Sequence, residues 1–329
     1  MTRRITVLRP GALGDTLLAL PALALLRAWA PDARLTFIAR ADVLPLALAS
    51  GLADEVWPWV LPDWSAIFDP ATTAANLTPR ARAALVAAHA VIAWASDPDS
   101  ALSATLRRLG AARVIVAPGR PPEDGSTPVE HAAIWLARAL APLGVTPSGD
   151  RDALWRALPP LRWPEASDRT ADQRWRTLGL PGDGVIALHP GSGGAAKRWA
   201  PARLSATAAL ALQAGYTPLL LAGAADEAVA AAVLAASGAA LPVARGLDVA
   251  ALAALLARCA GYLGNDSGVS HLAGLLGVPT VAVFGPTDPA RWAPLGPRVA
   301  VAPASDGDLA RLPPEAAWAT LHALMRGGA

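Results

Sequence analysis

Residues 4–29 read RITVLRPGALGDTLLALPALALLRAW, and this order of a β-rich run, a glycine turn and an apolar segment of helical length decides the fold class. RITVLR (4–9) has the character of a short strand, PGALGD (10–15) of a turn, and Thr16 to Trp29 of a helix. Further strand-like runs, RLTFIA (34–39), AVIAWA (90–95) and RVIVAP (113–118), alternate with segments long enough to be helices. Such alternation is what a parallel sheet with helical crossovers requires, so the first half reads as a Rossmann-like α/β domain.

Thr127-Pro128-Val129-Glu130 has the form of a capping box with proline at the first helical position, which predicts a helix to about Leu143 with a stop at Gly144. From Thr146 to about Asp183 the chain is rich in Pro, Arg and Trp, with room for one helix near 165–178, and the interdomain connection is expected there. The alternation then restarts. Strands are expected at VIALHP (185–190), TPLLLAG (217–223), GYLGN (261–265) and TVAVFG (280–285), with helices at 201–214, 226–237, 248–258 and 268–276. A last amphipathic helix spans about Pro314 to Met325. A chain of 329 residues is long enough for two such domains, expected at 1–160 and 161–329, with the last helix packed either on its own half or back on the first.

The hydrophobic fraction is 53%, but alanine supplies much of it and Pro, Gly, Asp and Arg interrupt every apolar run before spanning length. Arg3, Arg4, LLALPALALL (17–26) and Ala28-Trp29-Ala30 imitate a secretory leader. Arg9, Gly14 and Asp15 ahead of the apolar run, and Arg27 beside the triplet, do not fit one, so the segment is expected to stay and the protein to be cytoplasmic. Cys259 stands alone and reads as a buried apolar residue, which excludes an intrachain disulfide. The net charge of +2 comes from arginines dispersed along the chain, without the clustered basic face of a nucleic-acid binder, so no nucleic-acid partner is expected.

Of the 28 basic residues 27 are arginine, and the single lysine is Lys197. It lies in HPGSGGAAKRW (189–199), between an expected buried strand and a helix starting near Pro201. Lysine meets phosphates as a compact point charge, the small residues let backbone N–H groups approach an anion, and Ser192 adds a hydroxyl. An ordinary glycine-rich surface loop with an incidental lysine fits the same residues. In GNDSGVSHLAGLLGVPTVAVFGPTDP (264–289), Asp266 and Ser267 sit where a strand ends and a helix begins, and His271 follows one turn on. An anion at the helix N-terminus and plain helix capping both account for that placement, although ligands of such sheets bind at the carboxyl ends of strands. RPGALGD (9–15) lacks the GxGxxG spacing of a dinucleotide site, and Asp15 reads as a helix N-cap or a functional carboxylate. Asp97-Pro98-Asp99 is a lone metal-type triplet in the wrong architecture. The 12 tryptophans read as packing residues.

VLRPGALGDTLLALPALALLR (7–27), ALHPGSGGAAKRW (187–199) and NDSGVSHLAGLLGVPTVAVFGPTDP (265–289), in this order and spacing, resemble three signatures of glycosyltransferase family nine, the ADP-heptose:lipopolysaccharide heptosyltransferases. The resemblance implies a GT-B fold, two Rossmann-like domains facing each other across a cleft, with the donor held mainly by the second and the acceptor by the first. It implies inverting transfer with Asp15, preceded by Gly14, as general base, and Lys197 on the donor diphosphate. Gly191 and Ser192 would belong to the phosphate loop, and Asp266, Ser267, Gly268 and His271 match its D-[ST]-G-x-x-H donor motif. Leu247 and Gly223 fall at positions lining the nucleoside. Two departures stand out: Ala225 occupies a position often acidic in the family, with Asp226 and Glu227 just beyond, and Trp94-Ala95-Ser96 replaces an Asp-Leu-Gln-like run.

The implied activity is transfer of a sugar, heptose from ADP-heptose, to a hydroxyl of a lipopolysaccharide-core or other glycan or glycolipid acceptor, with peripheral contact at the inner membrane face. No metal and no cofactor are expected. The alternatives are a nucleotide-sugar epimerase on a similar two-domain fold, which needs no acceptor, and a non-catalytic nucleotide-sugar-binding protein.

Overall fold

The computed structural model describes residues 3–123, 128–147 and 149–327. The chain divides into two compact units, residues 1–162 and 163–329. The first contains a five-stranded parallel sheet of β1 (Arg4–Arg9), β2 (Arg34–Ala39), β3 (Glu55–Pro58), β4 (Ala90–Trp94) and β5 (Val114–Ala117), ordered β3-β2-β1-β4-β5. Its register pairs Val7 with both Phe37 and Ile92. Ile5, Val7, Phe37 and Ile92 are fully buried, as expected of parallel strands covered on both faces.

The second unit holds a six-stranded parallel sheet of β6 (Val185–His189), β7 (Thr217–Ala222), β8 (Val243–Arg245), β9 (Gly261–Asn265), β10 (Thr280–Phe284) and β11 (Val299–Pro303), ordered β11-β10-β9-β6-β7-β8. Both sheets reverse their direction of growth beside the first strand, between β1 and β4 in one and between β6 and β9 in the other. Loops leaving the carboxyl ends of such strand pairs diverge, and the crevice left between them is where open α/β sheets bind ligands.

Three strands escaped the sequence reading: β3, β8 and β11. All lie at sheet edges, are three to five residues long and are only partly buried, so none carries the continuous apolar run that marks a central strand. The expected helix from Thr16 to Trp29 is two helices, Leu13–Leu17 and Leu20–Trp29, with Pro21 in the first turn of the second. Thr127 of the anticipated capping box lies outside the described residues; the helix there is Ala132–Arg138, with His131 Nδ1 accepting the Ala133 amide at 3.3 Å, and a short 3-10 turn ends at left-handed Gly144. The connecting stretch contains a helix beyond the one expected, Arg151–Ala157, capped by Asp150.

Helix Pro314–Arg326, for which two placements were open, packs on the second sheet. A Cβ on Gly261 in β9 would stand 2.8 Å from Met325 Sδ and 3.1 Å from Leu321 Cδ1, so glycine is what lets this helix approach. Cys259 is buried, and burial pushes its thiol up to about 12. Among the described residues no helix is long and apolar enough to cross a membrane.

Candidate active site

The second sheet's switch point is knitted together by residues from the loops after β6 and β9. Asn265, at the end of β9, donates from Nδ2 to the Pro190 carbonyl (2.8 Å) and accepts the Trp199 amide at Oδ1 (3.0 Å), fixing both ends of the loop that carries Lys197. Ser192 donates to the Asp266 carbonyl at 2.8 Å. Asp266 is buried, and its Oδ2 accepts from Lys197 Nζ at 2.8 Å and from Thr287 Oγ1 at 2.7 Å. Lys197 remains about one-third exposed, so two of its three ammonium donors are left for a ligand while the third is held. Ser267 precedes helix Gly268–Leu275, whose first-turn amides and dipole face the same region.

A second set lies next to it. His189, the last residue of β6, has Nε2 3.2 Å from Asp226 Oδ2 and Nδ1 3.3 Å from Ser267 Oγ. Asp226 also accepts the Gly223 amide at 3.1 Å. Its carboxyl is held below the usual carboxylate range, chiefly by the His189 hydrogen bond, with burial opposing and the His189 charge, the Gly223 amide and Arg198 assisting. The structure therefore distinguishes the two neighbouring acids. Asp226 turns inward, while Glu227 pairs with Arg245 at 3.0 Å on the surface. Gly191 is required by this packing, since a Cβ there would lie 2.0 Å from Asp226 Oδ1.

Gly191, Ser192, Lys197, Asp266 and Ser267 are thus brought into one connected group, with Gly268 opening the helix behind Ser267. Gly223 joins through Asp226 at the end of β7. Leu247 stands half-buried just after β8, two strands from β6, outside the cluster but on the same sheet edge. His271 is buried in the second turn of the helix, its amide donating to the Ser267 carbonyl at 3.3 Å. Sequence reasoning passed over His189, Asn265 and Thr287. All three lie inside the quoted motifs, yet their roles depend on partners 20 to 80 residues away that only the fold brings near.

In the first unit Asp15 is neither an N-cap nor a free carboxylate. The cap position is Ala12, and Asp15 is the third helical residue, reaching back so that Oδ2 accepts the Ala12 amide at 3.1 Å. Gly14 lies half-buried in the same turn. Gly11 makes the reversal feasible: its φ is +155°, and a Cβ there would come within 2.9 Å of Asp15 Cβ. Arg120 binds the carboxylate with Nη2 2.8 Å from Oδ2 and Nε 3.3 Å from Oδ1, and Arg9 Nη2 stands 3.7 Å from Oδ1. Burial pushes the Asp15 carboxyl up, but the Arg120 hydrogen bond, the Arg9 charge and the Ala12 amide together outweigh it and hold the group below its ordinary range. Arg9 is buried, which lowers it to about 10 against the raising effect of Asp15; it is also fixed by hydrogen bonds to the carbonyls of Asp15, Pro10 and Gly119.

Asp97 of the metal-type triplet is occupied elsewhere, its two oxygens accepting the amides of Leu102 (2.9 Å) and Ser103 (3.0 Å) at a helix start. Among the described residues no group of three or more His, Cys, Asp or Glu side chains is arranged to hold a metal.

The sequence of the second unit matches a known family. Residues 158–310 match the model of glycosyltransferase family 9 (heptosyltransferase). Within this relationship, 134 residues are 28% identical to lipooligosaccharide heptosyltransferase 2 of Haemophilus influenzae, a match that spans 39% of this chain and 39% of that protein. The whole fold is similar to the solved structure of a glycosyl transferase family 9 protein from Veillonella parvula, with a TM-score of 0.80 at 22% identity, covering 99% of this chain and 98% of the other. It is also similar to Escherichia coli heptosyltransferase WaaC solved with ADP, with a TM-score of 0.69 at 20% identity over 98% and 99% of the two chains. These likenesses establish the GT-B type of fold, two Rossmann-like units in one chain, and the stretch similar to family 9 includes Lys197 and Asp266.

Proposed function

We propose that this protein is a heptosyltransferase that moves heptose from ADP-heptose to a hydroxyl of a lipopolysaccharide-core or other glycan acceptor, with inversion and without a metal. The observation that carries the reading is the Lys197–Asp266–Ser192 group at the switch point of the second sheet, within the family 9 domain. Around it Ser267, Gly191, Gly223 and Leu247 follow successive strand ends, β9, β6, β7 and β8. Three inter-strand steps of about 4.8 Å span roughly 14 Å, a length suited to a nucleoside diphosphate laid across the strand ends. The diphosphate belongs at β9 and β6, where Lys197 and the helix N-terminus supply positive charge, and the nucleoside extends toward Gly223 and Leu247.

In the transfer the bond from the anomeric carbon to the diphosphate oxygen breaks as the acceptor oxygen attacks from the opposite face. Negative charge builds on the leaving diphosphate. Lys197, Ser192 and the amides at the start of helix Gly268–Leu275 stabilise that charge, a contribution that is large when donors are already in place. Asp266 and Thr287 hold the lysine in position. Asp15, ionised between Arg120 and Arg9, accepts the acceptor hydroxyl's proton. The work is cytoplasmic, with peripheral contact at the inner face of the membrane where a glycolipid acceptor resides.

The test is incubation of the purified chain with ADP-heptose and a heptose-free lipopolysaccharide core, followed by mass spectrometry. A mass gain of one heptose on the acceptor, with release of ADP, supports the reading. Conversion of the donor to another nucleotide sugar without acceptor would instead make the protein an epimerase, and binding without either product would leave it a nucleotide-sugar-binding protein.

A further inference from the structure

His189 stands in none of the roles above, yet it is buried between two loops of the donor site. Its surroundings constrain where the nearby hydrogens lie. A carboxylate can only accept, so His189 Nε2 carries the hydrogen directed at Asp226 Oδ2, 3.2 Å away. In the neutral ring Nδ1 is then bare and accepts from the Ser267 hydroxyl at 3.3 Å. Ser270 donates to the Asn265 carbonyl at 2.5 Å, so its oxygen is left to accept, and the Tyr262 hydroxyl, 3.0 Å from it, also interacts with Ser267 Oγ, which it meets as a donor. With a neutral histidine, therefore, the Ser267 hydrogen is committed inward. A hydroxyl in that state presents only lone pairs to solvent, the wrong polarity for an anion.

We infer that His189 is a positioning residue that sets the direction of the Ser267 hydroxyl, and that uptake of a proton at His189 Nδ1 turns Ser267 into a hydrogen-bond donor for a nucleoside diphosphate. The inference rests on the donor-site reading above. The proton comes from solvent and no covalent bond other than N–H is made. Once Nδ1 carries hydrogen it donates to Ser267 Oγ. The serine hydrogen is then free for the ligand, with Ser270 Oγ at 3.3 Å as the other acceptor within reach. Ser267 is only half-buried, which leaves its outer side available. The charged or titratable groups on the elements that meet here are Asp226 after β7, with Arg198 acting on it, the Asp266–Lys197 pair and buried His271 on and after β9, and the Tyr262 phenol in β9, pushed well up by burial. Of these, Asp226 alone has a direct polar contact with the ring, whose other nitrogen meets the Ser267 hydroxyl.

Calorimetric titration of the full chain with ADP between pH 8 and 5.5, alongside His189→Gln, tests this. ADP's own ionisation affects both proteins equally and cancels in the ratio of their dissociation constants. That ratio is expected to change about tenfold in favour of the parent as the pH falls, the effect of one hydrogen bond to a charged acceptor. Adenosine should show no such change. Titrations in two buffers of different ionisation enthalpy should reveal net proton uptake in the parent above that of the variant. Should His189→Gln fail to fold, Ser267→Ala, which keeps the histidine, must lose the acid-dependent gain as well. ADP binding with the same pH dependence in parent and variants would overturn the inference while leaving the donor site intact. Failure of the parent to bind ADP at any pH would overturn the donor-site reading and the inference with it.

Discussion

Asp15 and Arg120 form a two-point contact, 2.8 and 3.3 Å between guanidinium nitrogens and carboxylate oxygens, although they are 105 residues apart in sequence. With Arg9 behind it the carboxylate meets two cations, one buried and one about two-thirds exposed. A carboxylate so placed is ionised and ready to receive a proton, but its affinity for that proton is reduced.

Replacement of Asp15 by Asn should therefore do more than stop proton transfer. Turnover is expected to fall about 10²–10⁴-fold, the range for loss of a general base. Stability should fall as well, by about 1–3 kcal/mol, because buried Arg9 loses its counter-charge while the exposed Arg120 contributes little through solvent. The folded-state carboxyl lies below its unfolded value, so its stabilisation is present above about pH 4 and is lost as pH falls through the folded value. Melting curves of the two proteins should differ most at pH 5 and above and draw together as the pH falls below about 4.

Arg120→Gln should raise the Asp15 carboxyl by removing its largest lowering influence. The acidic limb of the transferase pH–rate profile is expected to move upward, since the adjacent arginine favours the ionised carboxylate. An acidic limb unchanged in this variant would mean that Asp15 is not the group whose ionisation limits the rate.

Gly191→Ala is expected to be costly, because the new methyl would meet Asp226 Oδ1 at 2.0 Å. Overpacking of this kind costs about 1–3 kcal/mol. Removing the obstacle with Asp226→Ala in the same chain should recover part of that loss, and a denaturation double-mutant cycle should give a coupling energy of at least about 0.5 kcal/mol. Strict additivity would mean that the loop relaxes away from Asp226.

Transfer should persist in excess chelator if, as proposed, Lys197 and the helix N-terminal amides take the charge-stabilising role at the diphosphate. Complete inhibition reversed by magnesium or manganese would assign that role to a cation.

How far the sequence discloses this arrangement differs between elements for physical reasons. Central strands such as β1, β6 and β9 are apolar because both faces are covered, and they are legible with their boundaries nearly intact. Edge strands β3, β8 and β11 are not, because partial burial leaves them a mixed composition. Lys197 is conspicuous as the lone lysine, and Asp266 and Ser267 as the start of a helix after a strand. Arg9 and Arg120 are invisible among 27 arginines until the fold brings both to one carboxylate. His189 likewise reads as the end of a buried strand, and only the convergence of two distant loops gives its two nitrogens partners.

The central claim, a diphosphate site organised by Lys197 and Asp266, is tested most directly by calorimetric titration of ADP and adenosine into the parent chain and Lys197→Ala. The account predicts that the parent binds ADP more tightly than adenosine, and that the variant loses affinity for ADP by about tenfold or more, as expected for a lost charge-assisted contact. Its affinity for adenosine should be nearly unchanged. Equal affinity of parent and variant for ADP would contradict the account and remove Lys197 from the site.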